Sequence, residues 1–331
     1  MTEPAFDISN GAPPTLDHVV GNAHVVRQVR TALDAHFNDR ASLSPNHEAP
    51  AFPHTLLVGP PGLGKSLFAS IIAGELGASV HEELAQNLAI PSHLQGLLML
   101  ADAGDVCFVD EIHELPSPVQ TTLYRALEER KLFLSAEKGQ RQGINLPPVT
   151  FIAATTDEWT LKRPLRDRFK LVLRMSYYTP DELAQLITQR ARRIGWQIED
   201  VAASGIAAFG RGTPRIAMRL LESARRCARA KGATTIERQH LDNALDIEQI
   251  DAHGFGPIEQ QYLTILREAG GGSVRLGVIA TRLGLPPMTI ERVIEADLIR
   301  LGWITKTDAG RSLTMLGLAS GSPSPQLQPQ S

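Results

Sequence analysis

The segment Thr55-Leu56-Leu57-Val58-Gly59-Pro60-Pro61-Gly62-Leu63-Gly64-Lys65-Ser66 decides how this chain reads. A short apolar run enters it, and Leu67-Phe68-Ala69-Ser70-Ile71-Ile72-Ala73 leaves it with helical spacing. Strand, G-x-x-x-x-G-K-S loop and helix in that order make the P-loop pattern. Glycines suit it because a backbone without side chains bends sharply enough for its N–H groups to face phosphate oxygens, at the positive end of the following helix. Gly59, Gly62 and Gly64 supply that freedom, and the backbone as far as Leu67 is expected to close around the nucleotide, ATP. Lys65 is expected to bridge the β- and γ-phosphates and the Ser66 hydroxyl to ligate Mg²⁺. A Gly/Pro-rich turn that merely ends in Lys-Ser would leave the flanking strand and helix unexplained.

At 331 residues, 43% hydrophobic and 21% charged, the chain has the make-up of a soluble globular protein of two or three domains. No apolar run approaches the roughly 18 residues of a membrane span. Met1 to Pro14 lacks the charged-then-apolar build of a signal peptide, so a cytoplasmic location is expected. The two cysteines, Cys107 in an apolar strand and Cys227 in a helical pattern, form neither a disulfide framework nor a metal-ligand spacing and read as buried packing residues. A net charge of -3 exerts no global pull on nucleic acid, so any such contact must come from a local patch.

Before the loop, Thr15 to Phe37 reads as one helix capped by Asp17 or Asn22, and the proline-broken stretch Asn38 to Pro53 as a surface loop. After it, Asp105-Val106-Cys107-Phe108-Val109-Asp110-Glu111 is an apolar strand ending in two acids. Such a strand sets a carboxylate at the carboxyl edge of a parallel sheet, beside the P-loop. Asp110 is then a Mg²⁺ ligand and Glu111 the group that polarises attacking water; the bland alternative caps the helix read over Ile112 to Arg130. Leu132 to Leu146 reads as a short hairpin or loop. Pro148 to Thr156 is a third core strand, whose Thr155 or Thr156 either touches the γ-phosphate or its water, or simply packs. Leu165-Arg166-Asp167-Arg168-Phe169 offers guanidinium groups that either reach a neighbouring subunit's γ-phosphate or form a surface ion-pair cluster.

Strands alternating with helices imply a three-layer α/β domain with a parallel sheet over 15–179. Residues 180–250 read as a purely helical lid, in which Thr213-Pro214 starts a helix that aims Arg215 at the phosphates. Residues 251–319 read as three short helices and a two-strand ribbon, a winged helix, with Lys306 and Arg311 on the ribbon either taking DNA phosphates or standing as solvated charge. Residues 1–14 and 320–331 read as a flexible lead-in and a disordered tail.

With these stretches assembled, the chain resembles the RuvB family, bacterial ATPase motors of Holliday-junction branch migration. The resemblance spans roughly Leu16 to Thr314. It rests on the P-loop, Asp110-Glu111-Ile112-His113, Leu146-Pro147-Pro148-Val149-Thr150, Pro164-Leu165-Arg166-Asp167-Arg168-Phe169, Arg211-Gly212-Thr213-Pro214-Arg215-Ile216-Ala217 and Thr289-Ile290-Glu291-Arg292-Val293. It implies an AAA+ core, a helical lid, a winged helix on DNA, and a hexameric ring around duplex or four-way junction DNA. By the resemblance Arg168 matches an arginine finger acting in trans, Arg215 the sensor 2 arginine, and Tyr178 a residue lining the nucleotide pocket. Lys306 and Arg311 match wing positions that touch DNA.

Several positions depart from the family pattern. Ala12-Pro13 replaces an Arg-Pro pair, and Glu114 stands where the family has arginine. The hairpin after Leu132, which in the family docks on the partner RuvA, is shorter and different. Lys306 and Ala309 replace wing arginines, and Asn38 to Pro53 is longer. Two readings follow: an ATP-driven DNA motor, or an AAA+ regulatory or scaffold ATPase whose winged helix binds DNA or protein without translocation.

Overall fold

The computed structural model describes residues 15–43, 50–135 and 141–319. The expected lead-in, the tip of the Leu132–Leu146 hairpin, the middle of the Asn38–Pro53 stretch and the C-terminal tail lie outside them. The chain divides between Leu241 and Asp242 into two compact units.

In the first unit, a 3₁₀ turn over Leu16–His18 precedes helix α1 (Ala23–Ser42). The single helix expected from Thr15 is therefore broken at Gly21-Asn22, and α1 runs on past Phe37 into the stretch read as loop. Asn22 precedes α1 without capping it through its side chain. Its amide oxygen instead accepts from Ser176 N at 2.8 Å, and its Nδ2 donates to Ser176 O at 3.2 Å. Then follow β1 (Thr55–Val58), α2 (Lys65–Leu76), β2 (Val80–Leu84), α3 (Pro91–Met99), β3 (Val106–Asp110), α4 (Ser117–Glu129), β4 (Lys131–Ser135), β5 (Arg141–Asn145), β6 (Thr150–Thr155), α5 (Arg163–Arg166) and β7 (Leu171–Arg174). The helix expected from Ile112 is interrupted: a 3₁₀ turn, Ile112–Glu114, stops at Leu115-Pro116 before α4 begins.

Strands β2, β3, β6, β1 and β7 form one sheet in that order, every pair parallel. Val58 lies level with Thr155, and Leu84 with Asp110, so the loops leaving β1, β3 and β6 open on one edge. Ligands of open parallel sheets bind at that carboxyl edge. β6 is buried along its whole length, as its apolar run demands. On one face Leu94 and Leu98 of α3 and Val119 and Leu123 of α4 pack on Leu56, Val109 and Phe151. α1 and α2 belong to the other layer, with Val25, Val29, Phe68 and Ile72 buried. Each such side chain contributes about 1.5–3 kcal/mol relative to exposure. Cys107 is inside this core, where burial pushes its thiol up to about 12.

The same unit continues with α6 (Pro180–Arg193), β8 (Gln197–Ile198), α7 (Asp200–Phe209), α8 (Pro214–Ala230) and β9 (Thr235–Ile236). A capping box at Thr179 and Glu182 starts α6. Helices α6, α7 and α8 pack through Leu183, Ile187, Ile206, Leu220 and Leu221. The region is not purely helical: β8 and β9 pair in parallel, Gln197 with Thr235 and Ile198 with Ile236. Two-residue strands carry no periodicity for a sequence reading to detect. Cys227 is half-exposed on α8 and is not a core residue.

Helix α9 (Arg238–Ile247) leads into the second unit. There α10 (Pro257–Glu268), α11 (Leu276–Leu283), α12 (Pro287–Thr289), a π-helical turn (Ile290–Glu295) and α13 (Ala296–Arg300) precede β10 (Ile304–Thr307), β11 (Gly310–Leu313) and α14 (Met315–Ala319). Tyr262, Leu266, Ile279, Ile290, Leu298 and Trp303 make the core, and Phe255 meets the Trp303 ring edge-on at 4.8 Å. β10 and β11 pair antiparallel around Asp308-Ala309. Gly310 is required there: a β-carbon would lie 2.5 Å from Val274 O, which accepts from Arg311 N at 2.8 Å. Among the described residues no helix is long and apolar enough to cross a membrane.

Candidate nucleotide-binding site

The P-loop wraps the start of α2 at the carboxyl edge of the sheet. It opens into a cleft of about 840 Å³, mouth included, a size suited to a small ligand. Gly62, Gly64, Lys65, Ser66, Leu67, Asp110, Glu111, Tyr178 and Arg215 all line it. Gly59 sits at the end of β1, where its N–H donates to Thr155 O at 3.2 Å. Gly62 adopts φ +78°, and a β-carbon there would lie 2.9 Å from Arg215 Cβ, so only glycine lets the loop touch the start of α8.

Lys65 is buried, and its Nζ donates to Gly59 O at 2.8 Å and Pro60 O at 3.1 Å. Burial pushes the ammonium below its ordinary range, Glu111 and Asp110 pull it back up, and the Arg215 charge lowers it again. A buried cation resting on neutral carbonyls favours an anion that can replace them. Ser66 Oγ donates to Asp110 Oδ2 at 3.0 Å, so two hard oxygen donors from different elements already meet. Among the described residues no three His, Cys, Asp or Glu side chains form a metal cage. A hydroxyl and one carboxylate suit Mg²⁺, which keeps waters and phosphate oxygens as its other ligands.

Glu111 sits at φ +50°, a left-handed conformation costing about 1 kcal/mol or more for a residue with a β-carbon. Its N–H donates to Asp110 Oδ1 at 2.9 Å, and the twist swings its carboxylate away from the strand. Thr156 Oγ1 donates to Glu111 Oε2 at 3.4 Å. Thr155 is wholly buried; its Oγ1 accepts from Asp157 N at 3.0 Å and lies 3.1 Å from His113 Nδ1. The two threonines left open by the sequence thus differ: Thr156 is exposed beside Glu111, while Thr155 faces inward.

Tyr178 is buried, and burial raises its phenol while a hydrogen bond to Asn22 lowers it. Its N–H donates to Gly212 O at 2.9 Å, tying the end of the sheet domain to the turn before Thr213-Pro214. Thr213 precedes α8 without a side-chain cap. The sequence reading missed Leu186, Arg190, Pro214 and Met218, which also line the cleft. Leu186 and Arg190 stand four apart on α6, and Met218 follows Pro214 by four on α8, so helical spacing already groups them.

Arg168 is not among the residues lining this cleft. It follows α5, and its Nη2 meets Glu128 Oε1 at 2.5 Å while its Nε is buried without a partner. On the wing, Lys306 and Arg311 have different surroundings. Lys306 is exposed, and its Nζ donates to Glu291 Oε1 at 2.6 Å. Arg311 is buried: Nε donates to Glu295 Oε1 at 2.8 Å and Nη2 to Glu291 Oε1 at 2.8 Å. Tyr262 OH donates to the same Glu295 oxygen at 3.0 Å. Hydrogen bonding by Glu295 raises the Arg311 guanidinium further. Arg311 is therefore not the solvated charge that one reading of the ribbon expected: two carboxylates of its own domain hold it.

Three family models cover the chain in succession: the P-loop domain of the Holliday junction DNA helicase RuvB over 12–175, the RuvB AAA lid domain over 178–251 and the RuvB C-terminal winged helix domain over 252–320. The Holliday junction branch migration complex subunit RuvB of Kosmotoga olearia is 36% identical over 306 residues, 91% of this chain and 87% of the relative. A second such subunit, RuvB 2 of a Synechococcus species, is 39% identical over 82% of this chain and 76% of its own length. The solved structure of the Thermotoga maritima RuvB Holliday junction branch migration motor superposes with a TM-score of 0.80 at 33% identity, over 94% of this chain and 98% of that one. With the P-loop, the acids ending β3 and the start of α8 gathered around one cleft, and the models matching end to end, this chain belongs to the RuvB family.

Proposed function

We propose that this chain is an ATP-hydrolysing motor subunit that drives branch migration of Holliday junctions. The observation that carries this reading is the meeting of Lys65, Ser66, Asp110, Glu111 and Arg215 in one cleft of a chain that matches the family throughout. ATP is the substrate. Backbone N–H groups of Gly62, Gly64 and Lys65 at the start of α2 take its phosphates, and Lys65 leaves its carbonyl partners to neutralise them. Tyr178, Leu186 and Met218 supply the apolar wall. Ser66 and Asp110 would hold Mg²⁺, which when bound would supply charge neutralisation at the phosphates. Glu111 orients the attacking water, with Thr156 beside it, and Arg215 adds positive charge from the lid.

Arg168, outside its own subunit's cleft and only partly satisfied by Glu128, reaches the γ-phosphate of a neighbouring copy. That requires a closed ring, for which six members is our proposal, acting in the cytoplasm. The β4–β5 hairpin is the place where a RuvA-type partner would dock. Residues 15–179, 180–250 and 251–319 act as ATPase core, lid and winged helix, the last with Lys306 facing duplex DNA. The test is ATP turnover at low salt with and without four-way junction DNA. Stimulation by the junction is expected; an unchanged rate at saturating junction would overturn the reading.

A further inference from the structure

We propose that His113 is a positioning residue that latches and releases the Glu111 carboxylate, with Glu114 holding the far side of its imidazole. The inference rests on the assignment of Glu111 as the residue that orients water.

His113 lies in the 3₁₀ turn after β3, its side chain only 14% exposed. Its Nδ1 is 3.3 Å from Glu111 Oε2 and 3.1 Å from Thr155 Oγ1, and its Nε2 is 3.5 Å from Glu114 Oε1. One nitrogen thus faces two competing partners and the other faces a carboxylate. The Thr155 hydroxyl already accepts from Asp157 N, which leaves its own proton free to go to Nδ1.

Two states follow from this arrangement. In the neutral imidazole Nε2 carries the proton, directed at Glu114, and Nδ1 accepts from Thr155; Glu111 then faces a lone pair and is free to turn to water. In the imidazolium Nδ1–H is directed at Glu111 Oε2, and the resulting charge-assisted bond holds the carboxylate back. The charged groups facing the ring are Glu111 and Glu114 on its own turn and Asp157 beyond β6, whose carboxyl feels the His113 charge. Turnover is therefore lower with the ring charged than with it neutral, and Glu114 steadies the charged ring from its far side. Thr156 donates to the same Glu111 oxygen and keeps the carboxylate in reach once it is released.

The test is the pH profile of steady-state kcat and KM for the full-length protein and four variants. Glu114→Gln removes one acid from beside the ring, so the acid limb of its profile moves to lower pH. Glu114→Arg moves it further in the same direction. His113→Asn, whose side-chain oxygen can still accept from Thr155, flattens the limb, and in all three KM for ATP stays put. Glu111→Gln keeps nucleotide binding and loses turnover. An unshifted limb in Glu114→Gln, or a wild-type limb in His113→Asn, overturns the latch while leaving Glu111 as the water-orienting residue. Wild-type turnover by Glu111→Gln overturns that assignment and the latch together.

Discussion

The P-loop and the wing each hold a basic side chain at their centre, and the two cations are held in opposite ways. Lys65 rests on neutral carbonyl oxygens, whereas Arg311 is bound to Glu295, itself buried, and to Glu291. On the proposed function, carbonyl contacts give way to phosphate because the ammonium gains an anion by leaving. A guanidinium leaving two carboxylates would strand one of them in a dry core. The lesson is that a basic residue in a motif signals a ligand only where its present partners can be exchanged.

The sharpest break of this contrast is substitution of each cation in turn. Lys65→Ala should reduce ATP turnover at least about a hundredfold while leaving the melting temperature of the nucleotide-free protein almost unchanged. Arg311→Ala should do the reverse, destabilising the second unit by about 3 kcal/mol and leaving basal ATP turnover intact. Calorimetry and an ATPase assay on both variants decide the matter. If Arg311→Ala melts like the wild type, the buried network does not hold the wing.

A partly buried histidine in the first unit supplies a milder test. His54 Nδ1 accepts from Phe151 N at 3.1 Å, and burial pushes its pKa down to about 4. Because the folded value lies below the unfolded one, near 6.5, stability is full above pH 6.5 and declines as pH falls towards 4. The difference corresponds to about 3 kcal/mol. Denaturant midpoints between pH 7 and pH 4 should fall, and His54→Gln should remove much of that slope.

The smallest effects belong to the wing surface. Lys306→Ala should weaken duplex binding less than tenfold and lower the salt slope by about one. Glu291→Gln, which frees Lys306, should tighten binding about twofold. A binding isotherm at two salt concentrations measures both.

Much of this molecule was legible because its main signals are local. The P-loop needs glycine, lysine and serine in one short run, and the strand ending at Asp110-Glu111 shows its burial as continuous apolar residues. Strand β2, Val80-His81-Glu82-Glu83-Leu84, did not show itself because it lies at the sheet edge, where three consecutive polar residues stand between two exposed apolar ends and no strand period appears. The fate of Arg311 was illegible for another reason. Its partner Glu295, and Tyr262, which holds Glu295 in place, come from separate helical segments, and a charge list for the module treats a buried pair and a solvated one alike. Leu186, Arg190 and Met218 were within reach of helical spacing, and what the sequence lacked was the angle at which α6 and α8 meet the P-loop.

Whether one copy's Arg168 completes another copy's P-loop is decided by mixing two inactive variants. Arg168→Ala retains an intact cleft and Lys65→Ala retains an intact arginine, so a mixed assembly contains complete sites only if the arginine acts between copies. Each variant alone should be inactive, and the mixture should recover ATP turnover. A mixture that co-assembles yet stays as inactive as its parts would contradict it.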